Sequence, residues 1–220
     1  VAGSSCCSGS CFWSGRSSES GERIAVLAVG PAPGEQEKVR IIEADPPLWE
    51  QAAEIGSQLI RRGETLIVAE SVTGGWIGGV LTAIPGSSKW FYGAIVSYQV
   101  EAKQRWLRVP ADALASCGAV SETVARWMLR GAFDASDADW ALATTGYAGP
   151  FAGDEETLER VPKRSDPDSS VGLVYIGWGQ RGGGAPAEEV QRFGFSGSRE
   201  SIRNQAVHEA LMGLLKRLHG

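Results

Sequence analysis

The period of apolar positions changes several times along the chain, and each change marks an element. From Leu48 to Arg62 (LWEQAAEIGSQLIRR), Leu48, Ala52, Ile55, Leu59 and Ile60 recur at helical spacing, and Gly63 stands where a C-cap closes such a helix. TLIVAE, residues 65–70, is a short apolar run ended by small polar residues and predicts a buried strand. SVTGGWIGGVLTAI reads as a strand-to-helix turn leading into a small-residue helix that ends near Ala83. The glycines at 74, 75, 78 and 79 permit close backbone approach, at about 1 kcal/mol each relative to alanine inside a helix.

After the PGSSK turn, FYGAIVSYQ at residues 91–99 predicts a second strand, EAKQRWL a short helix, and PADAL a further turn of helix. SETVARWMLRGAFDAS predicts a long helix with Ser121 as N-cap. WALATTG, residues 140–146, predicts a strand running into a glycine-rich loop, and VGLVYIGWG and EEVQRFGF predict paired strands. The final helix spans about Arg199 to Leu218, with Ile202, Ala206, Ala210, Leu211, Leu214 and Leu218 on its apolar face.

Strands alternate with helices through most of this order, and two strands then stand together near the end. The expected class is α/β, a three-layer-like mixed sheet covered by helices, over residues 48–220. Residues 1–47 form a separate leader. Its first 20 residues, rich in Ser, Gly and Cys without a period, predict a flexible or extended arm, while RIAVLAVGPAPG and VRIIEADPP predict a short hairpin against the body.

Composition narrows the function classes. The net charge of −5, with scattered Lys and Arg, disfavours nucleic-acid binding, which needs several phosphates neutralised together, but not the binding of a small anion. No apolar run reaches the ~18 residues of a membrane span, and the leader lacks the basic and apolar segments of a secretion signal, so the expected location is the cytoplasm. Cys6, Cys7 and Cys11 form no C-x-x-C pair and have no histidine nearby, so no metal site and no cofactor are expected. Trp76, Trp90, Trp106 and Trp127 serve either a core or a subunit interface.

The candidate chemistry lies in loops after strands. Glu70-Ser71-Val72-Thr73-Gly74-Gly75 precedes a helix, and its hydroxyls and free N–H groups either hold an anion or simply cap the helix. Ser88, in the PGSSK turn, is either a nucleophile or a turn cap. The only histidines, His208 and His219, are poorly placed to activate it, so a lysine base is the alternative. Lys103 follows an apolar strand, and desolvation there would lower its pKa; its bland alternative is a surface ion pair. Tyr98 either relays a proton and orients that amine, or packs on the sheet. Thr145 and Gly146 lie in a loop able to bind ligand or support an oxyanion, or merely to end the strand. Arg199 opens the last helix, where a positive charge is unfavourable to the dipole, which points to a phosphate clamp against a solvated arginine.

Six fragments in order, AESVTGG, IPGSSKWFYGAIVSYQVEAK, GAVSETVA, TTGYAGP, VGLVYI and FSGSRESIRNQAV, resemble the CinA C-terminal domain family of bacterial nicotinamide-nucleotide amidohydrolases over about residues 48–218. The resemblance implies metal-free hydrolysis of the carboxamide of nicotinamide mononucleotide to nicotinate mononucleotide and ammonia. By it, Ser88 is the nucleophile, Lys103 the base and Tyr98 its assistant. Ser71, Thr145 and Arg199 meet the ligand, with Thr73, Gly74, Gly75 and Gly146 beside them. The implied partners are the nucleotide substrate and further copies of the chain, with neither nucleic acid nor membrane.

Departures from the family pattern keep two other readings in play: a Ser-Lys amidase or acyl-transfer enzyme on a different nucleotide or metabolite, and a non-catalytic nucleotide-binding or assembly subunit. Val72 stands where the family usually has cysteine, Val100 where it has asparagine, Cys117 where it has histidine, and Gly197-Ser198-Arg199 replaces G-D-R. FAGDEETLERVPKRSDPDSSVG replaces a compact loop ending in E-K-P-V-G, with Lys163 or Arg164 as stand-ins for its lysine. No molybdopterin-binding-type domain precedes the family segment in this sequence.

Overall fold

Two prolines open the first helix, where their missing N–H groups cost nothing. In this computed structural model, which describes residues 46–149, 171–182 and 187–219, α1 runs Pro46–Arg62 and ends at Gly63 with φ +67, the left-handed cap expected from the sequence. Leu48, Ala52, Ile55 and Leu59 are buried along it, whereas Ile60 points to solvent. The order continues β1 (Leu66–Glu70), α2 (Trp76–Thr82), a 3₁₀ turn (Ser87–Lys89), β2 (Phe91–Val96), α3 (Val100–Leu107), α4 (Ala111–Cys117) and α5 (Glu122–Asp134). It closes with β3 (Trp140–Gly146), β4 (Leu173–Gln180), β5 (Ala187–Gly194) and α6 (Arg199–His219). Residues 1–45 of the predicted leader lie outside the described residues, as does most of the long loop with Lys163 and Arg164, and the leader's last two residues, Pro46 and Pro47, belong to α1.

The five strands form one sheet in the order β2-β1-β3-β4-β5. β1 is parallel to β2 and β3, while β3–β4 and β4–β5 are antiparallel, so the mixed sheet expected from the sequence is present. Alternation sorts the side chains by face. Leu66 and Val68 of β1, Leu142 of β3, and Val174, Ile176 and Trp178 of β4 pack with α1, α2 and α6. Ile67, Ala69, Ala141 and Ala143 pack on the other face with α3, α4 and α5. The sheet is thus the middle of three layers.

Two details set the architecture around the site. Ser121 caps α5 by accepting the Val124 N–H at 3.2 Å. The second strand stops at Val96, short of the expected 99, because Ser97 N–H turns to the Glu70 carbonyl and Gln99 becomes the residue before α3. With three parallel strands, Glu70, Val96 and Gly146 end at one pole of the sheet. β4 starts and β5 ends there too, since Leu173 pairs with Gly194, and this brings Arg199 at the start of α6 to the same pole.

Candidate active site

Lys103 lies on the inward side of α3 and is only 2% exposed. Its amine donates to Ser71 Oγ at 2.8 Å, to the Ser97 carbonyl at 2.7 Å and to the Tyr98 carbonyl at 3.3 Å. Burial pushes its pKa down to about 8, because the ammonium has lost water and no carboxylate accompanies it in this contact set. The neutral amine fits the same three neighbours. Two carbonyls, which only accept, take its two N–H groups, and the Ser71 hydroxyl can donate into the lone pair.

Ser71 directly follows β1 and is buried to 7% exposure, with its N–H on the Thr144 carbonyl and its carbonyl accepting from Gly74 N–H. It opens onto a cavity of about 600 Å³ lined by Val72, Tyr98, Lys103, Val120, Thr145 and Arg199 among others. The Val72 N–H, next in the chain to Ser71, has no hydrogen bond among the described residues. At the mouth, an Arg199 N–H donates to the Tyr98 hydroxyl at 2.7 Å.

The expected site residues are divided between this pole and the opposite one. Ser88 is exposed in the turn before β2, at the opposite pole: the Trp90 carbonyl two residues later accepts from Leu66 N–H at the start of β1. The length of β2, about 17 Å at 3.3 Å per residue, separates it from Lys103 of the same chain. The hydroxyl on Lys103 is that of Ser71. Tyr98 accepts from the amine through its carbonyl, while the residue is 55% exposed and its hydroxyl accepts from Arg199.

The start of α2 does not offer free amides either. The carboxylate of Glu70, fully buried, accepts from the N–H groups of Gly75, Ile77 and Gly78 at 2.9, 3.2 and 2.8 Å. Gly74 and Gly75, in the left-handed region at φ +62 and +91, shape the turn that returns these amides to Glu70. Thr73 is buried with its hydroxyl on Thr144 Oγ1 at 2.8 Å, away from the cavity lining. Thr145 and Gly146 do line the cavity, but the Thr145 hydroxyl is committed to the Ala119 carbonyl at 2.8 Å. A Cβ at Gly146 would meet the Leu173 carbonyl at 2.7 Å, so a bare backbone is required there.

Sequence reasoning did not assign Glu70 the role of filling the helix start, nor Val72, Ala119, Val120, Tyr147, Ala148 and Gly149 that of cavity wall. Their signal was present: each lies inside one of the motif fragments. No cluster of His, Cys, Asp or Glu able to hold a metal occurs among the described residues, and none of their helices is long and apolar enough to cross a membrane.

A family model described as the CinA C-terminal domain matches residues 49–218. Nicotinamide-nucleotide amidohydrolase PncC of Escherichia coli K12 is 39% identical over 171 residues, which cover 77% of this chain and 94% of that protein. A CinA-like protein of Synechococcus sp. is 40% identical over 167 residues, covering 76% of this chain but only 36% of its own length, so the chain spans about a third of that relative. Among solved structures, the competence/damage inducible protein CihA from Agrobacterium tumefaciens aligns with a TM-score of 0.68 at 33% identity, covering 80% of this chain and 98% of that one. The competence damage-inducible protein A from Klebsiella pneumoniae MGH 78578 gives the same score and identity over 78% of this chain and 97% of its own.

Proposed function

The chain belongs to the CinA C-terminal domain family, and from that membership and the site geometry we propose that it hydrolyses the carboxamide of nicotinamide mononucleotide, with Ser71 as nucleophile and Lys103 as base. The observation that carries this reading is the buried amine 2.8 Å from a serine hydroxyl at a cavity large enough for a nucleotide. Similarity to amidohydrolases named for nicotinamide nucleotides supplies the substrate class.

Neutral Lys103 removes the Ser71 hydroxyl proton as Oγ adds to the carboxamide carbon. The carbonyl oxygen becomes an oxyanion, for which the Val72 N–H is the adjacent backbone donor. On collapse the C–N bond breaks and the proton held by Lys103 passes to the leaving nitrogen, releasing ammonia. Water then adds to the acyl ester, gives its proton to Lys103, and frees nicotinate nucleotide and Ser71. Arg199, steadied by the Tyr98 hydroxyl, holds the phosphate at the mouth. A phosphorylated substrate does not cross a membrane unaided, so the proposed setting is the cytoplasm.

Ammonia release from nicotinamide mononucleotide tests the assignment. Ser71→Ala and Lys103→Met are expected to lower kcat by roughly 10³-fold or more. Comparison with Ser88→Ala decides between the two serines: the larger loss in that protein, with turnover retained in Ser71→Ala, would overturn the Ser71 assignment.

A further inference from the structure

Adjacent residues at the end of a strand face opposite sides of the sheet. Leu66 and Val68 of β1 pack with α1 and α2, and Glu70 continues that side. Ile67 and Ala69 face α3, α4 and α5, the side on which Ser71 meets Lys103 of α3. The carboxylate of one residue and the hydroxyl of the next are thus tied to opposite faces, and a rotation of the chain here moves both.

Glu70 is fully buried, and no Lys or Arg pairs with it among the described residues. A buried carboxylate is costly unless hydrogen bonds satisfy it, and here both oxygens are used. Oε2 accepts from Gly75 and Ile77 N–H, and Oε1 from Gly78 N–H. α2 depends on such a partner, because it is only seven residues long, contains Gly78 and Gly79, and has at its N-cap Gly75 no side chain to cap it. The packing around the contact is close: a Cβ on Gly78 would stand 3.1 Å from the Ala94 Cβ of β2 and 3.4 Å from Glu70 Oε1. The main chain of Glu70 reaches the other half of the site. Its carbonyl accepts from Ser97 N–H at 2.8 Å, and the Ser97 carbonyl accepts from the Lys103 amine at 2.7 Å. With the 2.8 Å bond from Lys103 to Ser71 and the peptide joining Glu70 to Ser71, these contacts close a ring.

We propose that Glu70 is a positioning residue for the hydrolysis: its carboxylate, anchored on the amides of α2, fixes the turn that carries Ser71, and its carbonyl, through Ser97, holds the Lys103 amine against the Ser71 hydroxyl. The role rests on the reading of Ser71 as nucleophile. Three amide donors need atoms that only accept. In Glu70→Gln one oxygen becomes an NH₂ group that only donates, and whichever way the carboxamide turns, that group faces an N–H. The turn is then freed at its α2 end while the Ser71 N–H keeps the Thr144 carbonyl.

Reaction of the full chain with phenylmethylsulfonyl fluoride tests this apart from the natural substrate: Ser71 Oγ displaces fluoride from sulfur while Lys103 takes the proton. The label is located by peptide mass mapping, and its rate is compared at fixed pH with kcat and KM for nicotinamide mononucleotide. Glu70→Gln is expected to lower the labelling rate and kcat together by roughly tenfold or more, with KM within about twofold of the wild type. Gly78→Ala keeps the charge but crowds the same contact, and it is expected to slow both steps as well. The double variant is expected to be no slower than the slower single one, since both act through one contact. If Glu70→Gln does not fold by circular dichroism, Gly78→Ala carries the comparison. Gly79→Ala, on the same helix with open space around its Cβ, is expected to label and turn over as the wild type does. Wild-type labelling and kcat in folded Glu70→Gln, or a loss in Gly79→Ala equal to that in Gly78→Ala, overturns the positioning role. Labelling that slows in Glu70→Gln of a chain releasing no ammonia from the nucleotide leaves that role standing and fails the substrate instead. Absence of label from Ser71 in the wild-type chain removes the nucleophile, and the role of Glu70 with it.

Discussion

At the scale of single residues, the proposed mechanism makes Lys103 govern rate as well as stability through one proton. Its pKa of about 8 leaves about one molecule in ten with a neutral amine at pH 7, so kcat is expected to rise with pH and level off above an inflection near 8. A profile flat from pH 6 to 9 would remove the amine from the base role. Stability has its own sign. Between about 8 and the ordinary value of 10.5 the unfolded chain binds more protons than the folded one, so folding becomes more favourable as pH rises through that window. Comparing urea midpoints at pH 7.5 and 9.5, the wild-type protein should gain on Lys103→Met as pH increases; equal midpoint differences would mean the ammonium is not desolvated.

At the scale of elements, glycines with the same local propensity cost have opposite consequences. Gly131 sits on α5 where a Cβ would come 2.1 Å from the Leu107 carbonyl at the end of α3, a backbone atom unable to step aside. Gly79 in α2 has nothing within 4 Å of such a Cβ. Gly131→Ala is expected to destabilise by about 1–3 kcal/mol and Gly79→Ala to stabilise by about 0.5–1 kcal/mol, both read from urea unfolding. Equal effects would mean that helix propensity, rather than the α3–α5 contact, decides. The helices, the strands and the mixed sheet were legible because their periods and caps are local: Gly63 and Ser121 perform the roles their sequence positions predict. The hydroxyl that partners the buried amine was less so. Lys103 was legible from its apolar surroundings, but Ser71 and Ser88 both stand in small-residue turns, and only the parallel β1–β2 register reveals which pole each occupies. Likewise, of the two readings left open for the start of α2, anion binding or helix capping, only the folded chain shows the preceding Glu70 curling back onto those amides.

At the scale of the whole molecule, the topology supplies a meeting point and the charge balance limits what can be held there. Parallel β1, β2 and β3 deliver Ser71, Ser97 with Tyr98, and Thr145 to one pole, and the β4–β5 hairpin brings Arg199 across from the far side of the sheet. The chain carries a net charge of −5, so its overall field does not draw in a phosphate, and with the α2 start filled by Glu70 the attraction must be local. Arg199 lines the cavity, and in the proposed binding mode it meets this need. In the Ser71→Ala protein, which on the proposed mechanism binds without turnover, nicotinamide mononucleotide at about 100 times its Kd should add about 2.7 kcal/mol and raise Tm by roughly 5–10 °C. The dephosphorylated riboside at the same concentration should raise it less. Adding Arg199→Ala should bring the nucleotide's shift down to that of the riboside while leaving the riboside's own shift in place, because only the phosphate loses a partner. A nucleotide shift that survives the loss of Arg199 would move the phosphate away from α6, and with it the orientation that points the carboxamide at Ser71.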